Sequence, residues 1–345
     1  MAIDLNSLTL PKGFEISFFA EDVLSARQMA LSDGGIVYVG SMNAGNVYAL
    51  KDVNGDGKAD KKWTIAKHLK RPSGIAYKDG ALYVADIDKI LKFSNIDNTL
   101  ENPTSEVFFD DLPSDRHHGW KFLRFSEKGD LIIPVGAPCN VCEPPSNKHS
   151  RLFSLDMKSK KLTEIASGIR NTVGFDFHPQ TGELWFSDNG ADMMGDDIPP
   201  DEINRITKKG AHFGYPYFHA GDIVDPTFGK KKSPEDFEPP VLKLGAHVAP
   251  LGIHFYRGKM FENTYRNQLF VAEHGSWNRS KKAGYKVGLV KIQDNQVIGY
   301  EDFISGFMKN EKTFGRPAAV AELPDGSLLV SDDFAHAIYR ITYKR

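Results

Sequence analysis

Asp33-Gly34-Gly35-Ile36-Val37-Tyr38-Val39 is a turn followed by a short apolar, aromatic-bearing strand, and the same event returns along the whole chain. It recurs as Asp79-Gly80-Ala81-Leu82-Tyr83-Val84, Gly129-Asp130-Leu131-Ile132-Ile133 and Thr181-Gly182-Glu183-Leu184-Trp185-Phe186. Arg266-Asn267-Gln268-Leu269-Phe270-Val271 and Asp325-Gly326-Ser327-Leu328-Leu329-Val330 complete a set of six. A second apolar strand precedes each copy: Met29-Ala30-Leu31, Gly74-Ile75-Ala76-Tyr77, Phe122-Leu123-Arg124-Phe125, Gly174-Phe175-Asp176-Phe177, Gly252-Ile253-His254-Phe255 and Ala319-Val320-Ala321. Two strands joined by a turn residue cluster make a hairpin. An alternating, half-polar strand follows, as in Asn46-Val47-Tyr48-Ala49-Leu50 and Glu202-Ile203-Asn204-Arg205-Ile206, so three strands per unit are visible and a fourth is expected.

Antiparallel meanders repeating every ~45–60 residues, with almost no helical periodicity, define an all-β chain folded as a six-bladed β-propeller of four-stranded blades. A β-sandwich does not generate six equivalent units. Closing such a ring hides its edge strands, and Phe14-Glu15-Ile16-Ser17-Phe18-Phe19, ahead of the first copy, is placed to complete the last blade. Residues 207–250, rich in Gly, Pro and aromatics, read as an excursion over the active-site face.

Composition agrees. The 345 residues are 41% hydrophobic, with 31 glycines and 19 prolines spread along the length, which predicts one domain over 1–345. A net charge of −2 leaves no electrostatic footprint for nucleic acid, and no apolar run reaches the roughly 18 residues of a membrane span. Met1-Ala2-Ile3-Asp4-Leu5 has neither the basic nor the apolar region of a secretory signal. Cys139 and Cys142, in Cys-Asn-Val-Cys-Glu, lack the following His of a c-type haem and the second ligand pair of a zinc site. A short disulfide loop and a pair of buried thiols both remain open.

Alignment of the units exposes a second regularity. Arg27, Arg71, His118, Arg170, His247 and Arg316 each stand just before the first strand of a unit. Innermost strands line a propeller's channel, so these cations converge at one mouth, where Arg forks match carboxylates or phosphates. The ring implies an anionic ligand.

Asp176-Phe177-His178-Pro179, Asp188-Asn189-Gly190-Ala191-Asp192, Asp201-Glu202-Ile203-Asn204 and Glu273-His274-Gly275-Ser276-Trp277-Asn278-Arg279 resemble the quinone-dependent glucose/sorbosone dehydrogenase family, closest to its sorbosone-dehydrogenase-like branch. The resemblance covers nearly the whole chain and is most specific from Gly168 to Pro216. It implies oxidation of an aldose, aldosulose or related polyol by hydride transfer to pyrroloquinoline quinone (PQQ) held with Ca2+. An electron acceptor, cytochrome or quinone, would follow, and the family and cofactor imply a periplasmic or secreted protein. Residue by residue, it implies His118 as general base, with His117 as rival, and Arg170 with Asn171 against the quinone carbonyl. Calcium would rest on the backbone carbonyls of Gly190 and Ala191. Arg316, and by extension Arg279, would bind a cofactor carboxylate, and Arg27, Arg71 and His247 of the cation ring join them as cofactor-binding candidates. The glucose enzymes place a lysine where this chain has the segment 273–279, which leaves the sugar open. Trp277 suits stacking on a ring or packing between blades.

Asp52-Val53-Asn54-Gly55-Asp56-Gly57-Lys58-Ala59-Asp60 places Asp52, Asn54, Asp56 and Asp60 at calcium-loop spacing, but position 12 is Trp63 rather than Glu. A calcium-clamped turn or a metal-free polar turn follows. The competing functions for such a propeller are a calcium-dependent lactonase and a non-enzymatic binding scaffold.

Overall fold

The computed structural model describes residues 3–344; Met1 and Ala2, which open the N-terminal stretch considered above, and Arg345 lie outside the described residues. Among the described residues six blade sheets, antiparallel but for one added strand, and two small two-stranded hairpins form the molecule. Blade 1 comprises Ala26–Leu31, Val37–Ser41, Val47–Lys51 and Lys61–Ala66, and blade 2 Ile75–Lys78, Ala81–Asp86, Lys89–Phe93 and Glu106–Phe109. Blade 3 is Arg124–Phe125, Leu131–Val135, Arg151–Leu155 and Leu162–Ser167, and blade 4 Gly174–Phe177, Leu184–Asp188, Pro200–Arg205 and Leu242–Ala246. Blade 5 is Pro250–Phe255, Leu269–Glu273, Lys286–Gln293 and Gln296–Ile304. Blade 6 takes Pro317–Glu322, Leu328–Asp332 and Ala337–Tyr343 from the C-terminus and its outer strand, Phe14–Ala20, from the N-terminus. The propeller expected from the repeat is thus present, with its fourth strands and its ring closure.

Each copy of the repeat is the second strand of a blade. It is largely apolar because both of its faces are covered: Val37–Ser41, Ala81–Asp86 and Leu184–Asp188 are buried at every position, with polar residues only toward their ends. First strands of neighbouring blades adjoin around the axis. The glycine that opens several of them has a steric reason. A Cβ at Gly174 would lie 2.0 Å from the Leu251 carbonyl, and one at Gly252 2.6 Å from Ala319 Cα, so only glycine lets the inner strands approach this closely.

Two details depart from a uniform blade. Blade 3 gains a fifth, parallel strand, Ala211–His212 beside Ala166 and Ser167. The 207–250 stretch is therefore an excursion only in part, since its first strand widens blade 3 and its last, Leu242–Ala246, is the outer strand of blade 4. Between them lie the hairpin of Phe218–His219 with Ile223–Val224 and two 3-10 turns. Among the described residues no helix is long and apolar enough to cross a membrane.

Candidate active site

The approach to each inner strand is a tight turn, and three of the six cation positions take left-handed backbone conformations: Arg71 at φ +54°, His118 at +48° and His247 at +62°. Such geometry costs about 1–2 kcal/mol per non-glycine residue, so these turns are held by the surrounding structure. The turns deliver side chains into a cavity of about 360 Å³. Arg27, His118, Arg170, His247 and Arg316 all line it. Arg71 stands just outside, its guanidinium 5.4 Å from the ring centre of the cavity-lining Trp120 and bonded to the Arg116 carbonyl at 3.0 Å.

The cations are not equally matched. Arg27 pairs with Asp333 at 2.7 Å, which also takes the Nε2 of His274 at 2.7 Å, and Arg170 pairs with Asp192 at 2.8 Å. Among the described residues neither Arg71 nor Arg316 has a carboxylate partner. Arg316 is held instead by backbone, its Nε donating to the His274 carbonyl at 2.9 Å and its Nη2 to that of Gly275 at 2.6 Å. His247 donates Nε2–H to the Gly195 carbonyl at 2.7 Å. Of the six positions expected to converge, five line the cavity, and among its arginines only Arg316 has no carboxylate partner among the described residues.

His118 is buried, and its Nδ1 lies 2.9 Å from the Ala137 carbonyl. A carbonyl only accepts, so Nδ1 carries the proton and Nε2 presents a bare lone pair. Burial, reinforced by the Arg170 charge, lowers this imidazole to about 2, so it is neutral. His117 was expected to turn away, as alternate residues on a strand do. Residues 116–119 are a turn, not a strand, so both imidazoles line the cavity with centroids 4.0 Å apart. His117 is exposed and His118 is not.

Behind Arg170 and Asn171, Asp188 accepts from both of their amides, at 2.9 and 2.6 Å. The Asn171 side-chain amide, which lines the cavity, makes no hydrogen bond among the described residues. Asp201 accepts from the Gly190 amide at 2.7 Å and the Ala249 amide at 2.8 Å. The Gly190 and Ala191 carbonyls receive no hydrogen bond among the described residues. Burial raises Asp188 to about 7, Asp201 to about 6 and Glu202 to about 8, so three crowded carboxyls stand under this loop. The roles of Asp188 and Asp201 were missed in the sequence, although both stand in quoted motifs, because a side chain bonded to a distant amide leaves no local pattern.

Other expectations are relocated. Arg279 does not line the cavity: its guanidinium bonds Asp197 at 3.0 Å and the Lys281 carbonyl at 3.0 Å. Trp277 lines the cavity and is 69% exposed, which rules out packing between blades. Cys139 and Cys142 form a disulfide. In the Asp52–Asp60 loop, the acceptors serve the loop itself. Asp52 takes the amides of Gly55 and Gly57, Asn54 that of Asp56, Asp56 that of Lys58, and Asp60 those of Val53 and Asn54. Among the described residues no three His, Cys, Asp or Glu side chains converge as a metal site.

The site fits the cofactor set that the resemblance implies. One guanidinium without a carboxylate partner at Arg316, an unpaired amide at Asn171, the unshared Gly190 carbonyl and a neutral imidazole at His118 line one cavity of small-molecule size, with Arg71 and the Ala191 carbonyl adjoining it. Fold and site together define a six-bladed propeller with a cation-walled axial cavity. A profile of the Glucose / Sorbosone dehydrogenase family matches residues 155–338, and one described as TrAA12-like matches residues 8–222. The chain belongs to the Glucose / Sorbosone dehydrogenase family. An uncharacterized protein of Borreliella burgdorferi is 38% identical over 357 residues, covering 99% of this chain and 92% of that protein. The calcium structure of a Trichoderma reesei enzyme of carbohydrate-active family AA12 superposes with a TM-score of 0.84 at 18% identity, covering 98% and 97% of the two chains. The holo PQQ domain of a Coprinopsis cinerea pyranose dehydrogenase superposes with a TM-score of 0.81 at 17% identity, covering 97% of each.

Proposed function

We propose that this chain is a quinoprotein dehydrogenase that oxidises a sugar or related polyol, with PQQ in the axial cavity and Ca2+ at the Gly190 and Ala191 carbonyls. The observation that carries the reading is the cavity's pairing of a bare imidazole nitrogen, His118 Nε2, with Arg316, a guanidinium that has no carboxylate partner among the described residues, while Arg71, equally unpaired, stands just outside. When bound, the quinone supplies a two-electron hydride acceptor and the calcium ion a Lewis acid beside it. Arg316 and Arg71 bind carboxylates, and Arg27, already paired with Asp333, borders the same space. Arg170 and Asn171 direct donors to a carbonyl oxygen that gains negative charge during the reaction. His118 Nε2 takes the substrate hydroxyl proton as the carbinol hydrogen leaves as hydride. Trp277, exposed at the rim, offers a face for a sugar ring.

The chain acts as one domain over 1–345, passing electrons on to a cytochrome or a quinone. Its disulfide suits a periplasmic or secreted setting. A lactonase would need free carboxylates at the mouth, whereas Asp192 and Asp333 are bound by arginines and Asp201 by backbone amides.

The test is a titration of metal-stripped protein with PQQ and calcium, followed by quinone absorbance, then by dye reduction with a panel of aldoses. Calcium-dependent binding and dye reduction are expected. His118→Gln should lower kcat about 10²-fold or more while quinone affinity stays within a few-fold. Folded protein that binds no quinone would overturn the reading.

A further inference from the structure

The tetrapeptide closed by the disulfide reaches the site through one side chain. Asn140 accepts from Arg170 twice, its backbone carbonyl from Nε at 2.8 Å and its Oδ1 from Nη2 at 2.8 Å. The same Oδ1 accepts the Asp192 amide at 2.8 Å, and Nδ2 donates to the Asp192 carbonyl at 2.9 Å. Oδ1 has two donors and Nδ2 one acceptor, so a flipped amide would break every one of these contacts. Tyr215 fixes the loop from behind: its hydroxyl accepts the Cys142 amide at 3.0 Å and reaches the Asn140 carbonyl at 3.4 Å.

We propose that Asn140, presented by the Cys139–Cys142 loop, is a positioning residue that locks Arg170 and the Gly190–Asp192 backbone into one arrangement. The role rests on the quinoprotein reading above, in which Arg170 and the Gly190 and Ala191 carbonyls meet the cofactor and its ion. The physical reason is preorganisation. Arg170 has further partners in Asp192 and the Asn189 carbonyl, but these belong to the same loop and move with it. Asn140 comes from a different blade connection, and among the described residues it is the hydrogen-bonding link of guanidinium and loop to the body of blade 3. Without it the side chain regains rotamers that must be lost again on binding, and two backbone groups of Asp192 lose their partner.

The test reads the apo protein first. Arg170 is 3% exposed, so phenylglyoxal should label it slowly in the wild type, as quantified by peptide mass spectrometry. Asn140→Ala should label several-fold faster at Arg170, whereas Asn140→Asp, which keeps the Oδ1 acceptor, should remain protected. In the presence of calcium, the alanine variant should bind PQQ about tenfold more weakly, with the aspartate variant closer to wild type. Equal labelling of wild type and Asn140→Ala, or equal behaviour of the two variants, would overturn the proposal. Because the labelling needs no cofactor, it judges the Asn140 contact separately; absence of quinone binding by the wild type would instead overturn the quinoprotein reading.

Discussion

Glu202 is a carboxyl group enclosed by its blade, and its two hydrogen bonds, from Asn204 Nδ2 at 2.8 Å and the Ala220 amide at 2.7 Å, do not offset burial beside Asp188. Its value rises from the ordinary 4.5 to about 8, and that of Glu273 to about 7. The folded chain thus keeps protons that the unfolded chain has released, so these groups weaken the fold as pH rises through that window. Between pH 6.5 and 8 the effect is cleanest, because ordinary histidines are by then losing their charge in the unfolded chain. The melting temperature of apo protein should fall across this interval, and Glu202→Gln should flatten the fall. The substitution is accommodated locally: a rotated Asn204 amide can receive the new NH2 on its Oδ1, which has no partner among the described residues. An unchanged slope in differential scanning fluorimetry would refute the assignment of the strain to Glu202.

Inner strands meet at the axis with little side-chain volume between them, and one residue of blade 1 stitches them. Gln28 donates Nε2–H to the Leu123 carbonyl, and its Oε1 accepts from the amides of Ile75 and Leu123 at 3.0 and 2.9 Å. Blades 1, 2 and 3 thus share one amide. Gln28→Leu keeps the volume and orphans three backbone groups, so it should destabilise by at least about 2 kcal/mol in urea titration. A loss under about 0.5 kcal/mol would mean that water replaces the amide. Hairpins of this kind were legible in sequence because turn residues and apolar pairs recur locally. The fourth strands were less so: Glu106–Phe109 and Lys61–Ala66 are half exposed, lie beyond variable connections, and show little apolar pattern.

Ring closure belongs to the whole molecule. Phe14–Ala20 pairs with Ala337–Tyr343 from Phe14 opposite Tyr343 to Ala20 opposite Ile338. Phe14 then packs edge-on against Phe261 and Phe303, both at 4.8 Å, so the N-terminal strand secures blade 6 against blade 5. Phe14→Ala should cost about 3–5 kcal/mol, measured as a lowered denaturation midpoint with a single transition. If blade 6 instead came away separately, two transitions would appear and closure would not be cooperative.

From the sequence alone came the six-fold repeat, hence the propeller, the strand that closes it, and the cation before each inner strand, since each is written in short-range pattern. Resemblance added His118, Arg170, Asn171, Gly190 and Ala191. Tertiary structure decided which cations are already paired, that His117 and His118 share a turn, that Arg279 bonds Asp197 instead of lining the cavity, and that Asn140 reaches Arg170 across 30 residues. Those outcomes depend on how turns from different blades converge at the axis, and no local pattern encodes the distance between two loops brought together by a ring.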